Sequence, residues 1–227
     1  MNLLLCIVES FHYAKNEANI EYVFLTTNGF LATPERIVSL VNSGLDSLKF
    51  SINAATKEKY QEMHGVNAFD KVIENVKWAG NFKKTKNKSI KISVSSIYVE
   101  KNIQELLSMK ESLMPYLDDF YFLPLYNQSG HVGEKNYSKF VGNPGRYDNL
   151  VPPIPCWELF NAAKISWNGW MTACCFDHDR KFEIANLNET SLMQAWSHQK
   201  FVELRKKHLS NDNNVLKKSL CAKCLGL

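Results

Sequence analysis

Residues 20–53, IEYVFLTTNGFLATPERIVSLVNSGLDSLKFSIN, contain the pattern that decides the fold. Residues 20–27 form a β-branched and aromatic run that ends at the turn residues Asn28 and Gly29, which predicts a buried strand. In residues 47–53 apolar and polar side chains alternate, which predicts a second strand with one face packed on helices and one polar face. No hairpin signal separates the two strands, so we expect them to be parallel.

The segment between these strands carries the signals of a helix. Thr33 is a suitable N-cap and Pro34 suits the first helical position. Gly44 predicts the end of the helix. Such a strand–helix–strand unit predicts a right-handed crossover connection.

The same alternation continues towards residue 126. The predicted elements are a helix over residues 1–15, helices ending near Gly65 and Gly80, a strand over 90–99, a helix over 103–114 and a strand over 119–126. The sequence therefore predicts an α/β fold with a parallel sheet, either open or barrel-like. In both forms, ligands bind at the carboxyl ends of the strands.

Composition excludes several classes of protein. With 45% hydrophobic and 22% charged residues among 227, the chain is neither disordered nor of low complexity. The apolar run over residues 3–8 is too short for a membrane span and follows no basic segment, which predicts a cytoplasmic protein without a membrane partner. The net charge of +4 is concentrated in the lysines of residues 83–91, interpreted as a solvated loop rather than a nucleic-acid surface.

A second, smaller domain is predicted after a linker. Residues 128–155 are rich in glycine and proline, and the predicted boundaries are a first domain over 1–142, a linker over 143–155 and a second domain over 156–227. The second domain is predicted to contain a β-hairpin that turns at Asn168-Gly169 and a helix over residues 191–208.

The second domain holds most of the cysteines. Its five cysteines are Cys156, Cys174, Cys175, Cys221 and Cys224. Clustered cysteines in a chain without a secretory signal favour a metal centre over disulfides. The Cys221-x-x-Cys224 turn would supply two ligands, Cys174 a third and Cys156 a fourth, with Cys175 spare. Four thiolates suit structural zinc or an iron–sulfur cluster, and the spacing leaves both open.

The motifs resemble a known family along nearly the whole chain. In the second domain they are CW at residues 156–157, Gly169-x4-Cys174, IANL at 184–187, SLMQAW at 191–196 and the closing Cys221-x-x-Cys224. This domain resembles the SPASM domain of radical S-adenosylmethionine (radical SAM) enzymes. The segments LTTNG at 25–29, GLDSL at 44–48 and FSIN at 50–53 are similar to the barrel of the same family. The resemblance implies a partial (β/α)6 barrel missing its first two strands, followed by a small α+β SPASM domain.

The resemblance also implies chemistry. Family members bind S-adenosylmethionine at a [4Fe-4S] cluster and form a 5′-deoxyadenosyl radical that abstracts hydrogen from a peptide or a small molecule. By motif match, Thr27, Asn28 and Ser51 are the expected cofactor-binding residues. The cysteines at 156, 174, 221 and 224 are the expected ligands of an auxiliary [4Fe-4S] cluster. Asp177, beside Cys174 and Cys175, is interpreted first as solvent-facing and otherwise as a residue that orients the cluster region or binds substrate.

The sequence also departs from the family. It contains no Cys-x-x-x-Cys-x-x-Cys loop, which in this family holds the catalytic cluster. We therefore expect a fragment that is inactive alone and that self-associates through an exposed strand edge at residues 22–26. The alternative function is a non-catalytic module that binds an iron–sulfur cluster or zinc.

Overall fold

A computed structural model describes residues 3–86, 88–98, 102–124, 155–210, 212–219 and 221–222. The chain divides into two compact units, Met1–Pro124 and Leu125–Leu227. The predicted boundary at residue 142 and the predicted linker, apart from its last residue, lie outside the described residues. In the part of the chain that the structure describes, none of the helices has the length and apolar character that a membrane span requires.

The first unit is an alternating α/β structure. Its elements are α1 Leu3–Asn16, β1 Phe24–Thr27, α2 Pro34–Asn42, β2 Ser47–Ser51, α3 Lys57–His64, α4 Phe69–Thr85, β3 Lys91–Tyr98, α5 Ile103–Leu113, a 3-10 turn at Met114–Tyr116 and β4 Asp119–Pro124. The strands lie side by side in the order β1-β2-β3-β4, and each neighbouring pair is parallel. The parallel sheet predicted from the sequence is confirmed.

The two faces of this sheet differ in chemistry. Leu48 and Phe50 of β2, in register with Ile92 and Val94 of β3, are fully buried in the core. The opposite face carries the alternate residues, which are mainly polar: Thr26, Lys49, Ser51, Ser93, Ser95, Asp119 and Tyr121. The alternation in residues 47–53 therefore has the predicted meaning, with one face packed on helices and one polar face.

Strand β1 differs from its prediction. It begins at Phe24 rather than at residue 20, and Phe24 is 62% exposed, so the expectation of a buried strand is wrong. Among the described residues β1 is an edge strand that pairs only with β2. In the described part of the chain, β1 therefore forms the predicted edge, and it carries the exposed aromatic side chain of Phe24.

Helix α4 extends beyond its predicted end at Gly80 and finishes at Thr85. Gly80 lies where the helix meets the 3-10 turn, and a Cβ there would collide with the main-chain carbonyl of Tyr116. The glycine therefore permits close packing rather than ending the helix. Lys83 and Lys84, predicted to be in a solvated loop, lie in the last turn of α4, where Lys83 pairs with Asp118.

Two aspartates fix the amino ends of the sheet. Asp46, before β2, accepts a hydrogen bond from the N–H of Val23 at 2.7 Å and pairs with Lys15 at 3.0 Å. Burial opposes ionisation of Asp46, but the bonds from Val23 and Lys15 prevail and lower its pKa. The ionised carboxylate therefore ties α1 to the start of β2.

Asp118 makes the same kind of contacts where β3 and β4 begin. It precedes β4, accepts from the N–H of Ile92 at 2.7 Å and pairs with Lys83 of α4. Burial again favours the neutral form, and the lysine and the main-chain donor outweigh it, so the pKa of Asp118 is lowered. Each aspartate replaces a main-chain acceptor at the point where a strand begins.

The second unit is a small α+β structure. Its elements are α6 Glu158–Asn161, β5 Lys164–Ile165, β6 Trp170–Thr172, β7 Glu183–Asn186, α7 Leu192–Trp196, α8 Gln199–Leu209 and α9 Asn213–Lys217. Strands β5 and β6 are antiparallel, which confirms the predicted hairpin, and β7 adds a third antiparallel strand. The single helix predicted over residues 191–208 is wrong, because His198 caps a new helix by accepting from the N–H of Lys200.

Arg205 holds the helices of this unit together. Its guanidinium carbon lies 3.8 Å from the ring centroid of Phe201 and 4.2 Å from that of Trp196. Its Nε donates to the carbonyl of Leu159 at 2.7 Å. Helix α8 is thereby joined to α6 and α7, and its last turn is placed next to the cysteines.

Candidate cluster site and strand-end site

The cysteines after β6 form the centre of the candidate cluster site. Cys174 Sγ accepts a hydrogen bond from the N–H of Phe176 at 3.4 Å. The pKa of Cys174 is raised above its usual value, first by a hydrogen bond with the Cys175 side chain, then by burial and by the nearby charges of Cys175 and Cys221. Cys174 thus interacts directly with Cys175 and electrostatically with Cys221, which lies far along the chain.

His208 contacts both the main chain of Cys156 and the sulfur of Cys221. It lies in the last turn of α8 and is 4% exposed. Its Nε2 lies 3.3 Å from Cys221 Sγ, and its Nδ1 accepts from the N–H of Cys156 at 3.5 Å. Burial lowers the pKa of His208, which favours the neutral imidazole. The histidine therefore lies between two of the predicted ligand residues.

The chemistry of these donors fits a thiolate-bound metal centre. Thiols crowded in a partly buried site resist ionisation, as the raised pKa of Cys174 shows, and a metal cation reverses that preference. The five described cysteines are thiols rather than disulfides. Within the described residues no group of three His, Cys, Asp or Glu side chains is arranged to hold an ion, and Cys224 lies outside those residues. The complete four-cysteine ligand set therefore stays a prediction.

Asp177 shapes the loop that carries Cys174. Its Oδ2 accepts from the Thr172 hydroxyl at 2.8 Å and from the N–H of Phe182 at 2.9 Å. Its Oδ1 accepts from the N–H of Lys181 at 2.7 Å. The first interpretation of Asp177, as a solvent-facing residue, is wrong, because the carboxylate closes the loop between β6 and β7. Nothing in its sequence position distinguished it from the exposed acidic residue Asp179.

The strand-end site lies where β1 ends in the TTNG turn. Thr27 Oγ1 accepts from the N–H of Gly29 at 3.1 Å, and Asn28 Oδ1 accepts from the N–H of Phe30 at 3.2 Å. Both side chains thus shape the turn. The accepting bond of Thr27 does not use its hydroxyl hydrogen, which leaves Thr27 able to donate to a ligand.

Gly29 and Asn75 hold this turn against the core. Gly29 has a φ of 80°, and a Cβ there would lie 2.8 Å from Phe50 Cδ1 and 2.9 Å from Val72 Cγ1. Asn75, buried on α4, donates from Nδ2 to the Gly29 carbonyl at 2.8 Å. The turn is therefore fixed by a glycine that no other residue replaces without strain and by a helix distant in sequence.

The register separates two of the predicted cofactor-binding residues. Thr27 is paired with Phe50, whereas Ser51 is paired with Ser95 on the polar face. Paired residues share a face and neighbours in one strand alternate, so Thr27 and Ser51 lie at adjacent strand ends on opposite faces. Thr26 shares the polar face with Ser51. Sequence reasoning placed Thr26 at the strand end but did not select it as a cofactor-binding residue.

His64, which follows β2 in the chain, is a further polar side chain in the first unit. It lies at the end of α3 and stacks on the buried Tyr60, with ring centroids 4.2 Å apart. Burial lowers the pKa of His64. Its Nε2 is buried and has no hydrogen-bond partner in the described part of the chain.

Comparison with protein families agrees with both units. Residues 4–110 match the radical SAM superfamily, and residues 156–225 match SPASM, described as an iron–sulfur cluster-binding domain. The two matches thus assign residues 4–110 to the radical SAM superfamily and residues 156–225 to a SPASM domain. The resemblance inferred from the sequence is confirmed.

Curated relatives match parts of the chain. An uncharacterised protein of Methanocaldococcus jannaschii is 32% identical over 132 residues, which are 57% of this chain and 43% of that relative. A probable GTP 3′,8-cyclase of Saccharolobus islandicus is 42% identical over 57 residues, which are 25% of this chain and 18% of that enzyme. The matches thus span less than half the length of either relative.

Solved structures share the fold. The chain matches native anSMEcpe with bound AdoMet and Kp18Cys peptide at a TM-score of 0.57 and 15% identity, covering 98% of this chain and 71% of that one. It matches BtrN in complex with AdoMet and 2-DOIA at 0.54 and 18%, covering 98% and 65%. Streptococcus suis SuiB bound to the precursor peptide SuiA matches at 0.58 and 15%, covering 90% and 52%. The α/β fold with a radical SAM sheet is confirmed.

Proposed function

We propose that this chain is part of a radical SAM enzyme and that its SPASM domain holds an auxiliary [4Fe-4S] cluster on Cys156, Cys174, Cys221 and Cys224. The observation that supports this is the match of residues 156–225 to SPASM, an iron–sulfur cluster-binding domain that contains all four of these cysteines. His208 lies between Cys221 and the main chain of Cys156. Convergent thiols in a SPASM domain favour a cluster.

The strand-end site is proposed to bind S-adenosylmethionine. Thr27, Asn28 and Ser51 lie at the ends of β1 and β2, with Thr27 and Ser51 on opposite faces of the sheet. Their hydroxyl and amide groups are of the kind that suits the carboxylate of the methionine moiety. When bound at a reduced cluster, S-adenosylmethionine supplies a 5′-deoxyadenosyl radical. The 227 residues contain no Cys-x-x-x-Cys-x-x-Cys loop, so radical chemistry is proposed for a protein in which such a loop is present.

A peptide or a small molecule is the proposed substrate, and the polar face of the sheet is its proposed binding surface. Of the three structures described above, those of anSMEcpe and SuiB contain peptides, and the BtrN structure contains 2-DOIA. That face carries the hydroxyls of Ser93 and Ser95, both buried, and the amine of Lys49, which suit polar contacts. A reducing compartment such as the cytoplasm suits these thiolate ligands.

Anaerobic reconstitution of the full 227-residue chain with iron and sulfide tests the auxiliary cluster. We expect about four irons and four sulfides per chain, the composition of one [4Fe-4S] cluster, with thiolate-to-iron absorption. Serine variants of Cys174 and Cys221 should lose most of this iron. Cys6→Ser, which changes a cysteine of the first unit, is the matched control and should keep it. Full cluster content in the Cys174→Ser variant would contradict the proposed site.

A structural zinc centre is the second candidate. It is favoured by the position of His208 Nε2 at 3.3 Å from Cys221 Sγ, because mixed cysteine and histidine donor sets are common in zinc sites. Metal analysis of protein purified under anaerobic conditions separates the two candidates. One zinc per chain, with no sulfide after reconstitution, would show that the site holds structural zinc and would contradict the proposed cluster.

A further inference from the structure

His208 is a buried polar side chain for which the overall fold has no evident need. It projects from the last turn of α8, a helix whose other buried residue, Phe201, belongs to the apolar core of the unit. A leucine or phenylalanine would fill this position without a polar group to satisfy. The two ring nitrogens of His208 instead meet Cys156 and Cys221, so the explanation for the histidine lies at the cysteines.

The contacts of the ring define its tautomer. The N–H of Cys156 donates to Nδ1, which requires a lone pair on that nitrogen. In a neutral imidazole the proton then lies on Nε2, the nitrogen that faces Cys221 Sγ at 3.3 Å. The main chain of one predicted ligand residue thus orients a donor towards the sulfur of another.

We propose that His208 is a positioning residue of the cluster site, which donates a hydrogen bond from Nε2 to the Cys221 thiolate and raises the reduction potential of the bound cluster. This inference rests on the proposed function, because it requires a cluster on Cys221. Reduction adds negative charge to a cluster and its sulfur ligands. A donor at a ligand sulfur stabilises this charge more strongly in the reduced state than in the oxidised state.

Two amide variants separate the two contacts of the ring. The amide of Gln reaches the position of Nε2, so His208→Gln keeps a donor for Cys221. The shorter amide of Asn reaches only the position of Nδ1, so His208→Asn keeps the acceptor for Cys156 and loses the donor. His208→Phe keeps the ring volume and loses both contacts. If His208 donates to Cys221, the reduction potential of the cluster should be highest in the wild type, lower in His208→Gln, and lowest in His208→Asn and His208→Phe.

The test is an anaerobic redox titration of the reconstituted 227-residue wild type and the three variants, followed by EPR. We expect unchanged iron content and a midpoint potential that shifts to more negative values in His208→Asn and His208→Phe, with partial recovery in His208→Gln. Equal potentials in all four proteins, with clusters assembled, would overturn the role of His208 and leave the proposed cluster intact. Failure of the wild type to assemble a cluster would overturn both.

A measurement on the wild type keeps the inference testable if the variants do not fold. Protein labelled with ¹⁵N at histidine should show a weak nitrogen hyperfine coupling to the reduced cluster, as expected across a hydrogen bond. A strong coupling would show that His208 is itself a ligand, and the absence of coupling would show that it does not contact the cluster. Either result would overturn the donor role.

Discussion

Replacing Asp177 with alanine should loosen the loop that presents Cys174 without touching a cysteine. The carboxylate accepts three hydrogen bonds, from the hydroxyl of Thr172 and from the N–H groups of Lys181 and Phe182. The alanine variant loses all three. Thr172→Val, which is close to isosteric, removes only the hydroxyl donor and leaves the two main-chain bonds.

The size of the effect follows from the number of bonds. A hydrogen bond contributes about 0.5–1.5 kcal/mol net, and three bonds that share one half-buried carboxylate do not add fully. We therefore expect Asp177→Ala to lower the free energy of unfolding of the second unit by about 2–3 kcal/mol, and Thr172→Val by about 1 kcal/mol. For a unit of this size the midpoint of thermal unfolding should fall by roughly 10–20 °C in Asp177→Ala.

Thermal unfolding followed by near-ultraviolet circular dichroism measures these midpoints, with the metal content fixed. Asp179→Ala is the matched control, because it removes the same charge from the same loop and breaks a surface ion pair with Lys181 at 2.9 Å. Such a pair contributes about 0–1 kcal/mol. If Asp177→Ala and Asp179→Ala unfold at the same temperature, the assigned role of Asp177 in closing the loop is wrong.

Three further predictions concern the first unit. Gly29→Ala should lower the free energy of unfolding, measured in urea, by about 2–3 kcal/mol, because alanine is strained at this positive φ and its Cβ collides with the core. The control is Gly65→Ala, at a positive φ with open space around it, which should lower the free energy of unfolding by only about 1 kcal/mol. Asp46 and Asp118 have lowered pKa values, so their stabilisation is complete above the ordinary value of 3.8 and is lost as the pH falls through the lower folded values. Acid titration of the double variant Asp46→Asn/Asp118→Asn should show a weaker loss of stability in that range, and an unchanged acid profile would contradict this assignment. The 227-residue chain should self-associate through β1, and Phe24→Lys should raise the monomer fraction in size-exclusion chromatography with light scattering. A wild type that elutes as a monomer would show that the edge is protected.

The sequence predicted those features that depend on local pattern. Alternation in residues 47–53 identified β2 and its two faces, and Thr33 with Pro34 located the start of α2. Apolar periodicity, turn residues and caps are properties of a few neighbouring side chains, so they can be identified without knowing what packs on them. The cysteine spacing and the motifs around it likewise identified the SPASM domain.

Local pattern failed where a distant residue decides the outcome. Gly80 has the appearance of a helix end, but Tyr116 packs on it and α4 continues. The apolar run over residues 20–27 has the appearance of a buried strand, but β1 lies at an edge. Burial depends on neighbours that the strand itself does not specify.

The sequence by itself determined the order of strands and helices in the first unit, the polar face of β2 and the set of candidate ligand types. Only the tertiary structure decided which of these groups meet. It turned His208 towards both Cys221 and the main chain of Cys156, and it assigned Thr27 and Ser51 to opposite faces. The reason is physical, because short-range propensities set each element, whereas side-chain contacts between elements arise only when burial of the core fixes their register and orientation.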